Sequence, residues 1–119
     1  MSGQMISLRV FVRGLRIQAE IGLNPHERGR RQPLVIDASA ILEPLAPQHL
    51  RDTFNYELVQ GAAAAVASTG HVELAETFAL KIAERLLDHP AVREATVSVG
   101  KPEALAAADL AGAEVVLRR

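Results

Sequence analysis

Glu27, Tyr56, Glu76 and Lys101 are the residues whose types and settings could do chemistry. Glu27 lies in the segment Gly22-Leu-Asn-Pro-His-Glu-Arg-Gly-Arg-Arg-Gln, where a carboxylate can act as an acid–base group. Lys101 closes an alternating stretch and precedes Pro102; a lysine taken out of water suits proton transfer. Tyr56, the one tyrosine, follows Asp52-Thr-Phe-Asn at a helix start. Glu76 projects roughly 90° from the centre of an apolar helical stripe, with Thr77 and Glu84 pointing further out. A carboxylate at that edge can accept two adjacent N–H donors as a bidentate pair. Each residue also has a structural reading. Glu27 would be a solvated turn charge, Tyr56 an amphipathic packing residue, Glu76 a partner of the helix dipole, and Lys101 a lysine guarding a sheet edge.

Other chemistries lack their residues. The chain has no cysteine, so thiolate metal sites, disulfides and cysteine nucleophiles are excluded. His26, His49, His71 and His89 do not have the spacing of a metal motif, and no glycine-rich phosphate cradle occurs. Ser68-Thr-Gly-His lacks the surroundings of a serine nucleophile. Neither a metal nor a cofactor is expected. A net charge of −1 carries no nucleic-acid footprint. The start of the chain, Met1 to Met5, does not resemble a signal peptide, and the longest apolar run, Ala62 to Ala67, is too short for a membrane span. These features predict a cytoplasmic protein without membrane or nucleic-acid partners.

The elements that must position these residues follow from periodicity. Ile6, Leu8, Val10 and Val12, then Leu15, Ile17, Ala19 and Ile21, alternate with polar residues on either side of a bulge at Gly14. Residues Gly22 to Arg31 read as a loop, and Leu34 to Leu42 as a second strand. Pro44 and Pro47 break the chain. Asn55 is a candidate cap for a helix to about Thr69, with Gly70 as its stop and Leu58, Ala62, Ala65 and Val66 as its apolar stripe. A second helix spans about Val72 to Asp88, its stripe formed by Leu74, Ala75, Phe78, Ala79, Ile82, Ala83 and Leu86. Strands at Ala95–Val99 and Ala113–Leu117 complete the order β-β-α-α-β-β. This is an α+β layer: a four-stranded antiparallel sheet with two helices on one face. Arg9, Arg13, Gln18, Glu20, Asp37, Ser39, Thr96 and Ser98 fall on the other face, which must be wet.

With 119 residues, 49% of them hydrophobic and 23% charged, the chain suits one folded domain over 1–119 and is not disordered. Twenty alanines stand against three Phe, one Tyr and no Trp. Side chains that small bury little area each, which favours an oligomer over a monomer.

Six segments in order resemble the dihydroneopterin aldolases of folate biosynthesis. They are Val12-Arg-Gly-Leu-Arg-Ile, Ile21-Gly-Leu-Asn-Pro-His-Glu-Arg, Gln32-Pro-Leu-Val-Ile-Asp, Asp52-Thr-Phe-Asn-Tyr, Leu74-Ala-Glu-Thr-Phe-Ala and Val99-Gly-Lys-Pro. The resemblance spans about residues 8 to 118 and implies the tunnelling fold. In that fold four subunits form one barrel around a tunnel, and two rings commonly stack into a homo-octamer with sites at subunit interfaces. It places the catalytic lysine on Lys101, the active-site glutamate on Glu27, the interface tyrosine on Tyr56 and the pterin anchor on Glu76. Ala75 stands beside that anchor in the binding site, where relatives carry a bulky aliphatic residue. The tail Pro102 to Val115 also departs from the family and leans towards the related dihydroneopterin triphosphate epimerases.

The implied activity is retro-aldol cleavage of 7,8-dihydroneopterin, with epimerisation as a side reaction. The dihydropterin's own C=N bond would take up the electrons, so a Schiff base and a metal are both dispensable. Leu74 and Phe78 would floor the pterin pocket. One rival is an epimerase whose triphosphate is met by Arg28, Arg30 and Arg31. Another is a ring protein that binds a pterin or purine without turning it over.

Overall fold

The computed structural model describes residues 2–44 and 54–119. Asp52 and Thr53 of the fourth matched segment, together with Pro47 and His49, lie outside the described residues. Four strands and two α-helices follow in the expected order: β1 Leu8–Glu20, β2 Arg31–Leu42, α1 Glu57–Ala67, α2 Ala75–Leu87, β3 Val92–Lys101 and β4 Ala111–Arg118. The sheet runs β1-β2-β3-β4, antiparallel throughout.

Period-two alternation decides the sheet's two faces. On the inner face Ala19, Leu34, Ile36, Ala38, Ala40, Leu42, Val92, Ala95, Val97 and Val99 are buried. They meet Phe78, Ala79, Ile82, Ala83 and Leu86 of α2, and Val59, Ala62, Ala63 and Val66 of α1. The outer face is mostly polar: Arg9, Arg13, Gln18 and Asp37 are exposed, Glu20, Ser39, Thr96 and Ser98 are half-buried, and Phe11 and Val116 are exposed among them. The bulge lies between Val12 and Leu15, where Gly14 donates its N–H to Asp37 Oδ1 at 2.6 Å. No strand among the described residues pairs with the outer edge of β1 or of β4.

Several boundaries differ from those read in the sequence. β2 begins at Arg31 rather than Leu34, and β3 and β4 extend to Val92–Lys101 and Ala111–Arg118. Residues 22–31 are not wholly loop, since Pro25–Glu27 forms one 3₁₀ turn. Val72 does not begin α2. It pairs as an isolated extended residue with Ile21, exchanging hydrogen bonds with Glu20 O and Gly22 N at 3.0 Å. Asn55 does serve as a cap, accepting the N–H of Glu57 at 2.9 Å. The buried stripe of α1 is Val59, Ala62, Ala63 and Val66, while Leu58 is exposed. Its run of alanines is apolar on every side, so periodicity could not fix which side turns inward. Leu74, just before α2, is exposed, and Ala75 at its start is half-buried.

No helix among the described residues is long and apolar enough to cross a membrane. Ile82 is fully buried between α2 and the sheet. Ile82→Ala should therefore cost about 2–5 kcal/mol, read from the urea midpoint at unchanged slope.

Candidate active site

The end of the sheet where β1 finishes, β2 begins and β3 closes brings Glu27 and Lys101 together. Glu27 is buried at 5% exposure. Its carboxylate accepts four hydrogen bonds. Oε2 takes Lys101 Nζ at 2.7 Å and Gln32 Nε2 at 2.9 Å. Oε1 takes the backbone N–H of Asn24 at 3.3 Å and Asn24 Nδ2 at 3.2 Å.

Local sequence makes this geometry. Pro25 opens the 3₁₀ turn with a preset φ, and Glu27 N–H bonds back to Asn24 O at 2.9 Å. The Glu27 side chain then folds over its own turn onto Asn24. Gly22 (φ +129°) provides the space for it. A Cβ at Gly22 would fall 2.1 Å from Glu27 Cδ and 2.2 and 2.3 Å from its oxygens. No side chain fits there, and the backbone conformation itself favours glycine.

The Lys101 ammonium is the chief cause holding the Glu27 carboxyl well below its ordinary value of 4.5, at about 2. The Gln32 amide and the Asn24 backbone act in the same direction, while burial opposes them. Glu27 is thus a carboxylate at any pH near neutrality. Lys101 is shielded, its side chain 15% exposed, but it is paired rather than alone.

The other expected residues are distributed unevenly. Glu76 lies in the first turn of α2, whose approach through Val72 is tied to Ile21 and Gly22 at the same end of the sheet. It is exposed, whereas Thr77 is half-buried; the expected order of these two is reversed. Ala75 opens the helix after Leu74, which forms no side-chain cap bond, so N–H groups of this first turn remain without a capping side chain. Phe78 is fully buried in the core and cannot floor a pocket within one chain.

Tyr56 is not brought to this site. It lies at the start of α1, next to Phe54, whose ring meets that of His89 edge-on at 5.5 Å. His89 precedes β3, and its carbonyl accepts the N–H of Val92. Lys101 is at the far end of that ten-residue strand, roughly 30 Å away at ~3.3 Å per residue. Tyr56 is 66% exposed there.

Gln32 is the residue of this cluster that the sequence reading missed. One Nε2 donates both to Ile21 O at 2.8 Å and to Glu27 Oε2 at 2.9 Å. The signal was available. Gln32 shares the parity of Leu34, Ile36 and Ala38, so it faces the interior, where an amide must find partners. Beginning the strand at Leu34 concealed it.

A shielded carboxylate–ammonium pair can hold a proton and pass it on. The chain belongs to the dihydroneopterin aldolase family, whose sequence pattern matches residues 10–118. A dihydroneopterin aldolase of Streptomyces coelicolor is 35% identical over 99 residues, 81% of this chain and 83% of the relative. The crystal structure of a Burkholderia thailandensis dihydroneopterin aldolase bound to guanine is similar at a TM-score of 0.80 and 30% identity, covering 95% of this chain and 92% of that one. The E. coli dihydroneopterin aldolase in complex with neopterin shares the fold at a TM-score of 0.79 and 22% identity, covering 92% and 97%.

Because the folded carboxyl of Glu27 titrates below its ordinary value, its stabilisation is complete above pH 4.5 and is lost as pH falls towards 2. Glu27→Gln should therefore be less stable than wild type at pH 7, and the difference should shrink across that window. Denaturant midpoints at pH 7, 4, 3 and 2 measure it.

Proposed function

We propose that this protein cleaves 7,8-dihydroneopterin into 6-hydroxymethyl-7,8-dihydropterin and glycolaldehyde, a retro-aldol step of folate biosynthesis, in one domain spanning the chain. The observation that carries this reading is the shielded 2.7 Å bond between Lys101 Nζ and Glu27 in a chain of this family. Guanine and neopterin, the ligands of the two related structures, share a 2-amino-4-oxopyrimidine edge. Glu76 would accept the paired N–H donors of that edge as a bidentate carboxylate. The N–H of Ala75, in the uncapped first turn of α2, would face the neighbouring ring oxygen.

In the chemical step the 2′-hydroxyl loses its proton and its oxygen becomes the aldehyde carbonyl as the C1′–C2′ bond breaks. The electron pair of that bond passes into the C6=N5 double bond, and N5 gains a proton. Protonation of the enamine at C1′, with loss of the N5 proton, then restores the C6=N5 bond and gives the hydroxymethyl product. Lys101 supplies the ring-side proton, aimed by Glu27, and Tyr56 serves the side-chain hydroxyls. Re-addition of glycolaldehyde to the other face would give the epimer. Arg28, Arg30 and Arg31 are already engaged with Glu73 (2.8 Å), Glu103 (3.2 Å) and Gln18 O (3.1 Å), which supports an unphosphorylated substrate over a triphosphate.

The reading requires more than one copy. Tyr56 lies at the opposite end of its own sheet from Lys101, so a complete site joins the Tyr56 end of one copy to the Lys101 end of another. The edges of β1 and β4, along which no strand pairs among the described residues, and the mostly polar outer face suit a closed ring of four, or two rings stacked into an octamer.

Lys101→Ala should lower glycolaldehyde release by roughly 10²–10⁴ in single-turnover assays while product binding changes little. Glu76→Ala should weaken product binding by about 2–4 kcal/mol in calorimetry. Tight binding by the Glu76 variant would show that the anchor lies elsewhere.

The shared site makes a separate prediction. Tyr56→Phe and Lys101→Ala subunits, each impaired alone, should regain activity when dissociated and reassembled together. Recovery no greater than the sum of the two would place the whole site within one chain.

A further inference from the structure

His71 is a histidine that the mechanism above does not use, yet its ring reaches the backbone beneath Glu27. It lies between the helices, one residue before Val72. Its Nε2 is 2.7 Å from Gly22 O. A carbonyl only accepts, so Nε2 carries the proton and donates. Nδ1 is buried and has no hydrogen-bond partner among the described residues. The polar contribution of this ring therefore passes through the single bond to Gly22.

Gly22 is where such a bond has consequences. It has φ +129°, and the Glu27 carboxyl rests where its Cβ would be. Lacking a side chain, it has a wider choice of backbone conformation than the Leu23 and Asn24 that follow it. Its N–H is held by Val72 O at 3.0 Å, which leaves the peptide on its carbonyl side to be fixed. That peptide sets the direction in which the chain leaves the sheet, through Leu23 to Asn24. The N–H and Nδ2 of Asn24 hold Glu27 Oε1.

We infer that His71 is a positioning residue for the reaction: by donating Nε2–H to Gly22 O it fixes the peptide that seats Glu27 against Lys101. The inference rests on the reading of Glu27 as part of the acid–base pair. A glutamine at position 71 can present its own Nε2 at a similar reach and preserve the donor, while leucine fills the space without one.

The test compares His71→Leu, His71→Gln and Glu27→Gln in the assembled protein. Folding is checked by circular dichroism and binding by calorimetry with the hydroxymethyl pterin product. His71→Leu should lower kcat about ten- to a hundredfold with product affinity within about threefold of wild type. It should also speed amide hydrogen exchange at Asn24, a readout independent of turnover. His71→Gln should restore kcat to within about threefold. Wild-type kcat and Asn24 exchange in His71→Leu would overturn the inference, as would a folded His71→Gln as impaired as the leucine variant. If His71→Leu does not fold, His71→Gln decides alone: near-normal kcat supports the donor role, and a folded but slow variant refutes it. Full activity in Glu27→Gln would instead overturn the acid–base reading, so the two failures are distinguishable.

Discussion

The bond between Lys101 and Glu27 ties together parts of the chain 74 residues apart. It joins the loop after β1 to the last residue of β3, and the surrounding donors exist to make it tolerable. Removing two charges from water is costly, and their mutual attraction offsets that cost only when the remaining lone pairs are also satisfied. Gln32 and Asn24 satisfy them. The same donors that make burial feasible fix the carboxylate's orientation, so stability and chemistry impose one geometry.

That geometry needs a rigid base, which the antiparallel sheet supplies. β2 delivers Gln32, β3 delivers Lys101, and the end of β1 delivers Gly22 and the loop. Val72 extends the pairing of β1 by one residue and carries the connection into α2 to the same end. The elongated molecule, 59 Å in its longest dimension, leaves Tyr56 at the other end of the layer. An acid–base pair and a phenol so far apart cannot meet within one copy. On the proposed mechanism, catalysis would then depend on assembly, which a core of small side chains also favours.

The sheet was legible because alternation is a local property. Leu34, Ile36, Ala38 and Ala40 announce their inward face, and Gly14 announces the bulge. α1 was legible in existence but not in orientation, since its run Ala62–Ala65 is apolar on every side and does not choose between Leu58 and Val59. Family resemblance marked Glu27 and Lys101 separately. Their pairing could not be read because it is a contact between distant parts of the chain. Gln32 and His71 were hidden for other reasons. Gln32 turns inward by its parity with Leu34 but escapes notice when the strand is begun there, and the bond of His71 to Gly22 O is one that no side-chain pattern encodes.

The pairing also bears on which lysine chemistry is open to this site. A Schiff base requires the amine's lone pair to attack a carbonyl carbon. In the resting site Lys101 Nζ points a proton at Glu27 Oε2 from 2.7 Å, and the carboxylate is ionised from about pH 2 upward. While that bond is made, Lys101 presents a proton to its partner and no lone pair to a carbonyl carbon. An ammonium held in this way is a poor nucleophile but a well-aimed acid. In a substrate with its own conjugated C=N bond, electrons released by carbon–carbon cleavage already have a destination, so an acid at that end and a base for the side-chain hydroxyl would suffice.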